Sequence, residues 1–486
     1  MSSKLFVICI GGSGAKCFEA ITQLAAAGLY NEQSIEVLFV DPDEANGSME
    51  RARRSLNTYQ QCQRLMGGDQ RPTNVPWMQT PIKSYDLWSP FADQPFNREL
   101  ASFFQYNSIR NDNPSLANFF DVLYSPEERV QPLDEGFRGR PSIGAAVMSQ
   151  INLDQLDKAP WGSIIQEIKT ATGGGNNPRV LLCGSIFGGT GASGIPTIAR
   201  LLSNKFEREG IRKSVRLGGL FLLPYFSFTV PPGANTNGIY ASADQFLLNT
   251  EAALRYYITQ ASGLFDTVYL LGNEDTAKVD FSVGKKTQQN RPHFIELYAA
   301  LAARDFLLQD RQDALMLVAR AAGGVLNWDD LPDGAAVRRG LVNAARTAYL
   351  WLSDIQGELE AIRTSPGNLP PWAKPFYDAK DPVFRLDADT QQNEIKIINS
   401  WSADYLRWLR DVHQCDTDQV RFFNHQMFST KEKLSELVID DPRDPKSKQK
   451  QDGIPWIKEE LRRQKSTDNR RGGVGLATAL YLNTNI

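Results

Sequence analysis

The sequence predicts an α/β protein built on a parallel sheet. Two short runs, Leu5–Ile10 and Val180–Cys183, are wholly apolar, as strands buried on both faces must be. Each runs into a glycine-rich turn, Gly11-Gly12-Ser13-Gly14 or Gly188-Gly189-Thr190-Gly191-Ala192-Ser193-Gly194, and each turn runs into an amphipathic helix. The 486-residue chain is long enough for about two or three domains and a sizeable core. Its net charge of −3 carries no overall signature of nucleic acid or membrane binding.

After the first turn, apolar spacing at Phe18, Ile21 and Leu24 predicts a helix from Ala15. Ile35–Val40 reads as the next strand, ending at Asp41-Pro42-Asp43. Asp41 sits where a dinucleotide-binding fold places its ribose-binding acid. Gly12-Ser13-Gly14-Ala15-Lys16-Cys17 lacks the third glycine of that fold's fingerprint, so an NAD(P)-binding oxidoreductase stays open as an alternative. Residues 67–135, rich in Pro, Asn, Asp, Ser and aromatics, predict an inserted, mostly irregular segment with a helix near Arg98–Tyr106. Basic residues are too sparse there to favour nucleic acid over packing.

Gly136-Phe137-Arg138-Gly139-Arg140-Pro141 is a further punctuated turn, and Arg138 or Arg140 suits an anion. Around the second glycine turn, Pro196 is expected to open a helix with Ile195, Ile198, Ala199 and Leu202 on one face. Strand, glycine turn and helix N-terminus together make an anion site: N–H groups converge, and the helix dipole favours negative charge. The alternative is a glycine turn without a ligand. No Gly-Lys-Ser/Thr follows these glycines, which excludes a Walker A loop.

Val215–Leu223 is another apolar run, followed by Pro224-Tyr225-Phe226-Ser227-Phe228-Thr229 and a Pro/Asn/Gly-rich stretch over Val230–Gly238. Phe265–Leu271 reads as a strand ending at Gly272-Asn273. From Arg291 a long helix is expected, with Phe294, Leu297, Tyr298, Leu301 and Leu308 on one side; His293 could cap it or pack. Gly324-Val325-Leu326-Asn327-Trp328-Asp329-Asp330-Leu331-Pro332-Asp333 concentrates acids after that helix; alternatively, a strand at Leu315–Val318 makes 315–332 a hairpin. Residues 335–352 predict a helix, and 353–435 read as mainly helical. Basic residues outnumber acidic ones over 441–471, as in a solvated tail that could meet an acidic partner. The apolar patch Val474–Leu482 could dock on the body.

Cys9, Cys17, Cys62, Cys183 and Cys415 are scattered and odd in number, which reads as reduced thiols of a cytoplasmic protein. His293, His413 and His425 are too few and separated for an evident metal cluster. No apolar run is long enough for a membrane span.

Six of these turns, in order, resemble the loops of the tubulin/FtsZ superfamily. Phe187-Gly188-Gly189-Thr190-Gly191-Ala192-Ser193-Gly194-Ile195-Pro196 is similar to that family's G-G-G-T-G-[ST]-G-x-x-P phosphate loop, departing at Phe187, Ala192 and Ser193. Gly11, Gly12, Ser13 and Gly14 resemble its first loop, Asp41 and Asp43 its second, and Arg138, Gly139, Ser142, Ile143 and Gly144 its third. Asn273 falls where the family contacts guanine, and Asn290 and His293 fall at the start of its central helix. Gly324, Asn327 and Asp329 match a loop that the family inserts into the next subunit's site, with Asp330 and Asp333 beside them. The ribose loop departs, because Tyr225–Thr229 carries no acid.

The resemblance implies a GTP-binding domain over 1–290, a central helix over 291–322, an atypical mostly helical region over 323–440 and a charged tail over 441–486. It implies GTP or GDP with Mg²⁺, hydrolysis with Asn327, Asp329, Asp330 and Asp333 as catalytic candidates, and head-to-tail self-assembly. A partner protein could use the C-terminal region; no nucleic-acid partner is expected. A nucleotide-binding scaffold without hydrolysis is a further alternative.

Overall fold

The computed structural model describes residues 4–31, 33–67, 75–91, 99–175, 177–231, 241–261, 263–282, 285–309, 315–318, 324–365, 367–378, 380–415, 420–424, 434–439, 453–464 and 471–484. Its centre is a seven-stranded parallel sheet. The strands are β1 (Lys4–Ile10), β2 (Ser34–Val40), β3 (Ile82–Ser84), β4 (Arg179–Ser185), β5 (Arg216–Leu222), β6 (Thr267–Leu271) and β7 (Leu315–Val318). Their spatial order is β3-β2-β1-β4-β5-β6-β7, that of a Rossmann-like α/β sheet, whose order reverses between β1 and β4. Cys9 of β1 lies opposite Cys183 of β4, so both strands end at the same level.

The apolar runs are explained by burial on both faces. Leu5, Val7 and Cys9 point into one core, and Phe6, Ile8 and Ile10 into the other. The first core is covered by α1 (Gly11–Ala26), α2 (Gly47–Met66) and, later in the chain, the helix starting at Phe294. The second is covered by α3 (Pro141–Met148), α4 (Trp161–Gly173), α5 (Gly189–Arg208) and α6 (Phe246–Gln260).

Both glycine turns are shorter than expected. α1 begins at Gly11 and not Ala15, and α5 begins at Gly189, leaving Pro196 inside the helix. The glycines are therefore the first helical turns, held by close packing. A Cβ on Gly14 would lie 2.5 Å from the Cys183 carbonyl oxygen, and one on Gly191 would collide with that of Ser185.

Residues 67–135 are not wholly an insertion, because Ile82–Ser84 is the third strand of the main sheet. The described part beyond it is mostly helical, with helices at Leu100–Phe103, Tyr106–Asp112, Pro114–Leu123 and Pro126–Arg129. Aromatic packing among Phe103, Phe104, Tyr106, Phe120 and Tyr124 supports them. Arg98 lies outside the described residues.

The central helix, α7 (Phe294–Leu308), stops well short of 322. Leu315–Val318 is a strand, as the alternative reading had it, but it pairs parallel with β6 at the sheet edge and forms no hairpin. The C-terminal region does not form a separate core. Helices α8 (Gly334–Leu350), α9 (Asp389–Gln414), α10 (Ile454–Arg462) and α11 (Gly472–Thr484) extend the core of α1, α2 and α7. The charged tail is thus partly helical and packed: Tyr481 stacks on Trp77 at 5.3 Å, and Ile457 and Leu461 are buried. His425 and residues 440–452 and 465–470 lie outside the described residues. No helix among those described is long and apolar enough to cross a membrane. All five cysteines are free thiols.

Candidate functional site

Ligands of open parallel sheets bind beyond the carboxyl ends of the strands, where the order reverses. That point here lies between β1 and β4, and both glycine turns flank it. β1 passes straight into α1 through Gly11, whose φ of +77° favours glycine. β4 passes through Ile186, Phe187 and Gly188 into α5. The turns touch: a Cβ on Gly11 would lie 3.4 Å from that of Thr190. Two helix N-termini, with their unbonded N–H groups, therefore open side by side.

They open onto a cavity of about 150 Å³. Of the residues singled out from sequence, Gly11, Gly12, Ser13, Asp41, Asp43, Arg138, Gly139, Gly188, Gly189, Thr190, Gly191 and Asn290 all line it. Gly136 (φ +77°), Arg138 (φ +42°) and Gly139 (φ +71°) bend the third loop across the mouth. A Cβ on Gly189 would lie 2.7 Å from that of Phe137, so this loop rests on the start of α5. Arg138 pairs with Glu135.

Asp41 is buried and accepts a hydrogen bond from the Asp43 amide at 3.0 Å. Burial pushes its carboxyl up to about 8; the Asp43 amide opposes the shift, while the Asp43 charge adds to it. Asp43 accepts from the Ala45 amide at 3.1 Å.

Other candidates stand apart from the cavity lining. Gly14 is pressed against β4, and Arg140 donates to Gln245 Oε1 at 3.2 Å. Ala192 continues the first turn of α5, its amide donating to the Gly188 carbonyl at 3.4 Å. Asn273 turns its amide onto the Asp275 carbonyl, as a turn asparagine does. His293 caps α7: its Nδ1 accepts from the Ile295 amide at 3.1 Å, and its own amide donates to Glu296 at 3.0 Å. Burial, and then the nearby Lys16 charge, push this imidazole down to about 3, so it is neutral with its proton on Nε2.

The acidic loop is also remote. Asp330 accepts from the Asn327 amide at 2.7 Å, and Asp333 pairs with Arg304 at 2.8 Å. Arg304 also donates to the Leu29 carbonyl, beyond the end of α1. The 16 residues of α1 span about 24 Å, so this loop lies at the opposite end of the sheet from the cavity.

The cavity also takes in residues not singled out. Asn46 caps α2, accepting from the Ser48 and Met49 amides at 3.0 and 3.1 Å, and donates to Gln288 Oε1 at 3.0 Å. The Asn-Gly-Ser sequence ahead of an amphipathic run was the available signal. Phe226, Phe228 and Phe246 form an aromatic wall, and Lys16 reaches in from α1.

Chemically, the site offers two helix N-termini for an anion and an aromatic wall beside them. Among the described residues no group of three His, Cys, Asp or Glu side chains could hold a metal. No protein-family model matches the chain, and no curated protein matches it.

Proposed function

We propose that this cavity binds the phosphate chain of GTP or GDP, and that the protein is a tubulin/FtsZ-like GTPase assembling head to tail. One observation carries the reading: two glycine turns, each opening a helix, touch at the reversal point of the sheet and share a cavity with the Arg138–Gly139 loop. The glycines let the two turns, the third loop and the strand ends pack closely around the cavity, and the two dipoles add. Mg²⁺ would come with the phosphates, since the protein presents no metal cluster of its own among the described residues. Asp41 and Asp43 are among the carboxyl groups of the cavity lining.

The placement of the acidic loop supports an assembly reading. An acid at the far end of the molecule reaches a phosphate only if a second copy presents it, a heterologous contact that propagates. A scaffold that binds without hydrolysis is favoured by one observation: Asp330 and Asp333 already hold the Asn327 amide and Arg304. NAD is disfavoured, because Gly12-Ser13-Gly14-Ala15-Lys16-Cys17 lacks the third glycine of the dinucleotide fingerprint.

Calorimetric titration with GTP, GDP and NAD tests the reading. GTP and GDP are expected to bind, and Thr190→Ala to weaken both by about tenfold, through loss of a hydroxyl donor at the helix start. Binding of NAD alone would replace this function with the oxidoreductase one.

A further inference from the structure

Lys16 lies inside the cavity wall, with its side chain only 4% exposed. Its ammonium group pairs with Glu296 on α7, whose side chain is 1% exposed. It also sits 5.5 Å from the Tyr225 ring centre and 6.0 Å from that of Phe226. A buried ion pair is costly to form and contributes little net stability, so its place beside a candidate anion site calls for a reason.

We propose that Lys16 is an exchangeable cation of this cavity: it pairs with Glu296 in this structure and turns to a phosphate oxygen of the bound nucleotide. The inference rests on the nucleotide reading and adds a specificity-determining residue to it. Three features carry it.

The first is charge. Asp43, Glu135 and Asp280 line the cavity, against Lys16 and Arg138 among the described cations, and Arg138 is paired with Glu135. A polyphosphate entering this lining needs a cation, and Lys16 is one turn along α1 from Ser13, on the helix whose N-terminus meets the ligand. The second is that Glu296 can be left behind. It accepts from the Tyr225 hydroxyl at 2.8 Å and the His293 amide at 3.0 Å, so its charge stays hydrogen-bonded once Lys16 leaves. The third is position: Lys16 itself lines the cavity, although its ammonium group pairs outside that lining, with Glu296.

The test compares wild type with Lys16→Met/Glu296→Gln, which removes both charges together and leaves no unpaired buried ion, and with Glu296→Gln alone. Thermal melting establishes that each variant is folded. Calorimetry then measures GTP, GDP and guanosine. The double variant is expected to lose about tenfold in GTP affinity and little for guanosine, which has no phosphate. Glu296→Gln, which frees Lys16 from its competitor, is expected to bind GTP more tightly than wild type. Wild-type GTP affinity in the double variant, or an equal loss for guanosine, would overturn the exchange and leave the nucleotide reading standing. A wild type that binds none of the three would overturn both.

Discussion

Asp41 shows how one buried side chain sets a measurable property. Its carboxyl is pushed up to about 8 by burial, so the folded protein holds this proton more tightly than the unfolded chain does. Stability from this group is complete below the unfolded pKa, near 4, and is lost as pH rises from there to about 8. Asp41→Asn should flatten that decline, raising the urea midpoint at pH 8 more than at pH 5. An unchanged pH slope would contradict the burial argument. Glycines make a second residue-scale contrast. Gly14→Ala places a Cβ 2.5 Å from the Cys183 carbonyl oxygen and should cost roughly 2–4 kcal/mol. Gly173→Ala, at the end of α4 with nothing within 4 Å, should be neutral or stabilising by up to about 1 kcal/mol. Denaturant unfolding of both reads the difference. Asn273 and His293 mark the limit of sequence reading at this scale: an amide or imidazole at the right spacing is equally suited to a ligand and to a turn or cap. Only placement shows that both are used by their own backbone surroundings.

At the scale of elements, strands were legible because parallel strands must be apolar on both faces, and β1, β2, β4 and β5 announce themselves by composition. Helix starts were not. A glycine run looks like a loop, yet Gly189–Gly194 is helical because small residues let α5 approach β4, a tertiary demand that local propensity does not register. Ile82–Ser84 was hidden for the opposite reason: three residues carry too little periodicity to separate a strand from the segment around it. Packing of α9 against α1 and α2 was equally invisible, since it depends on a polar network. Glu19, fully buried, receives Arg51 at 2.8 Å and Arg407 at 2.7 Å. Glu19→Gln removes the carboxylate the two arginines share, while Arg407 keeps Asp404 at 2.8 Å and Asp411 at 3.2 Å, and should lower stability by about 1–3 kcal/mol. Recovery in a variant that also replaces Arg407 would show that the penalty is electrostatic; no loss in Glu19→Gln would show that the network is incidental.

For the whole molecule, the polarity of the sheet separates two sites. The cavity lies at the carboxyl ends of the strands, and Asp329, Asp330 and Asp333 lie past the far end of α1. On the assembly reading, hydrolysis needs a second copy, so turnover per molecule should rise with protein concentration. Asp329→Ala is the cleaner probe of the acids, because Asp329 is exposed, whereas Asp330 and Asp333 also brace their loop. It should leave GTP binding intact and lower the rate by at least about 100-fold; full activity would exclude it. Concentration-independent turnover would contradict a shared site, and the absence of turnover would favour the scaffold. All of this depends on what occupies the cavity. The most direct measurement is to denature freshly purified protein and identify any released nucleotide by chromatography, after loading the protein with an equimolar mixture of GTP, GDP and NAD and removing what is unbound. The account predicts guanine nucleotide in near-stoichiometric amount; NAD, or no nucleotide at all, would contradict it.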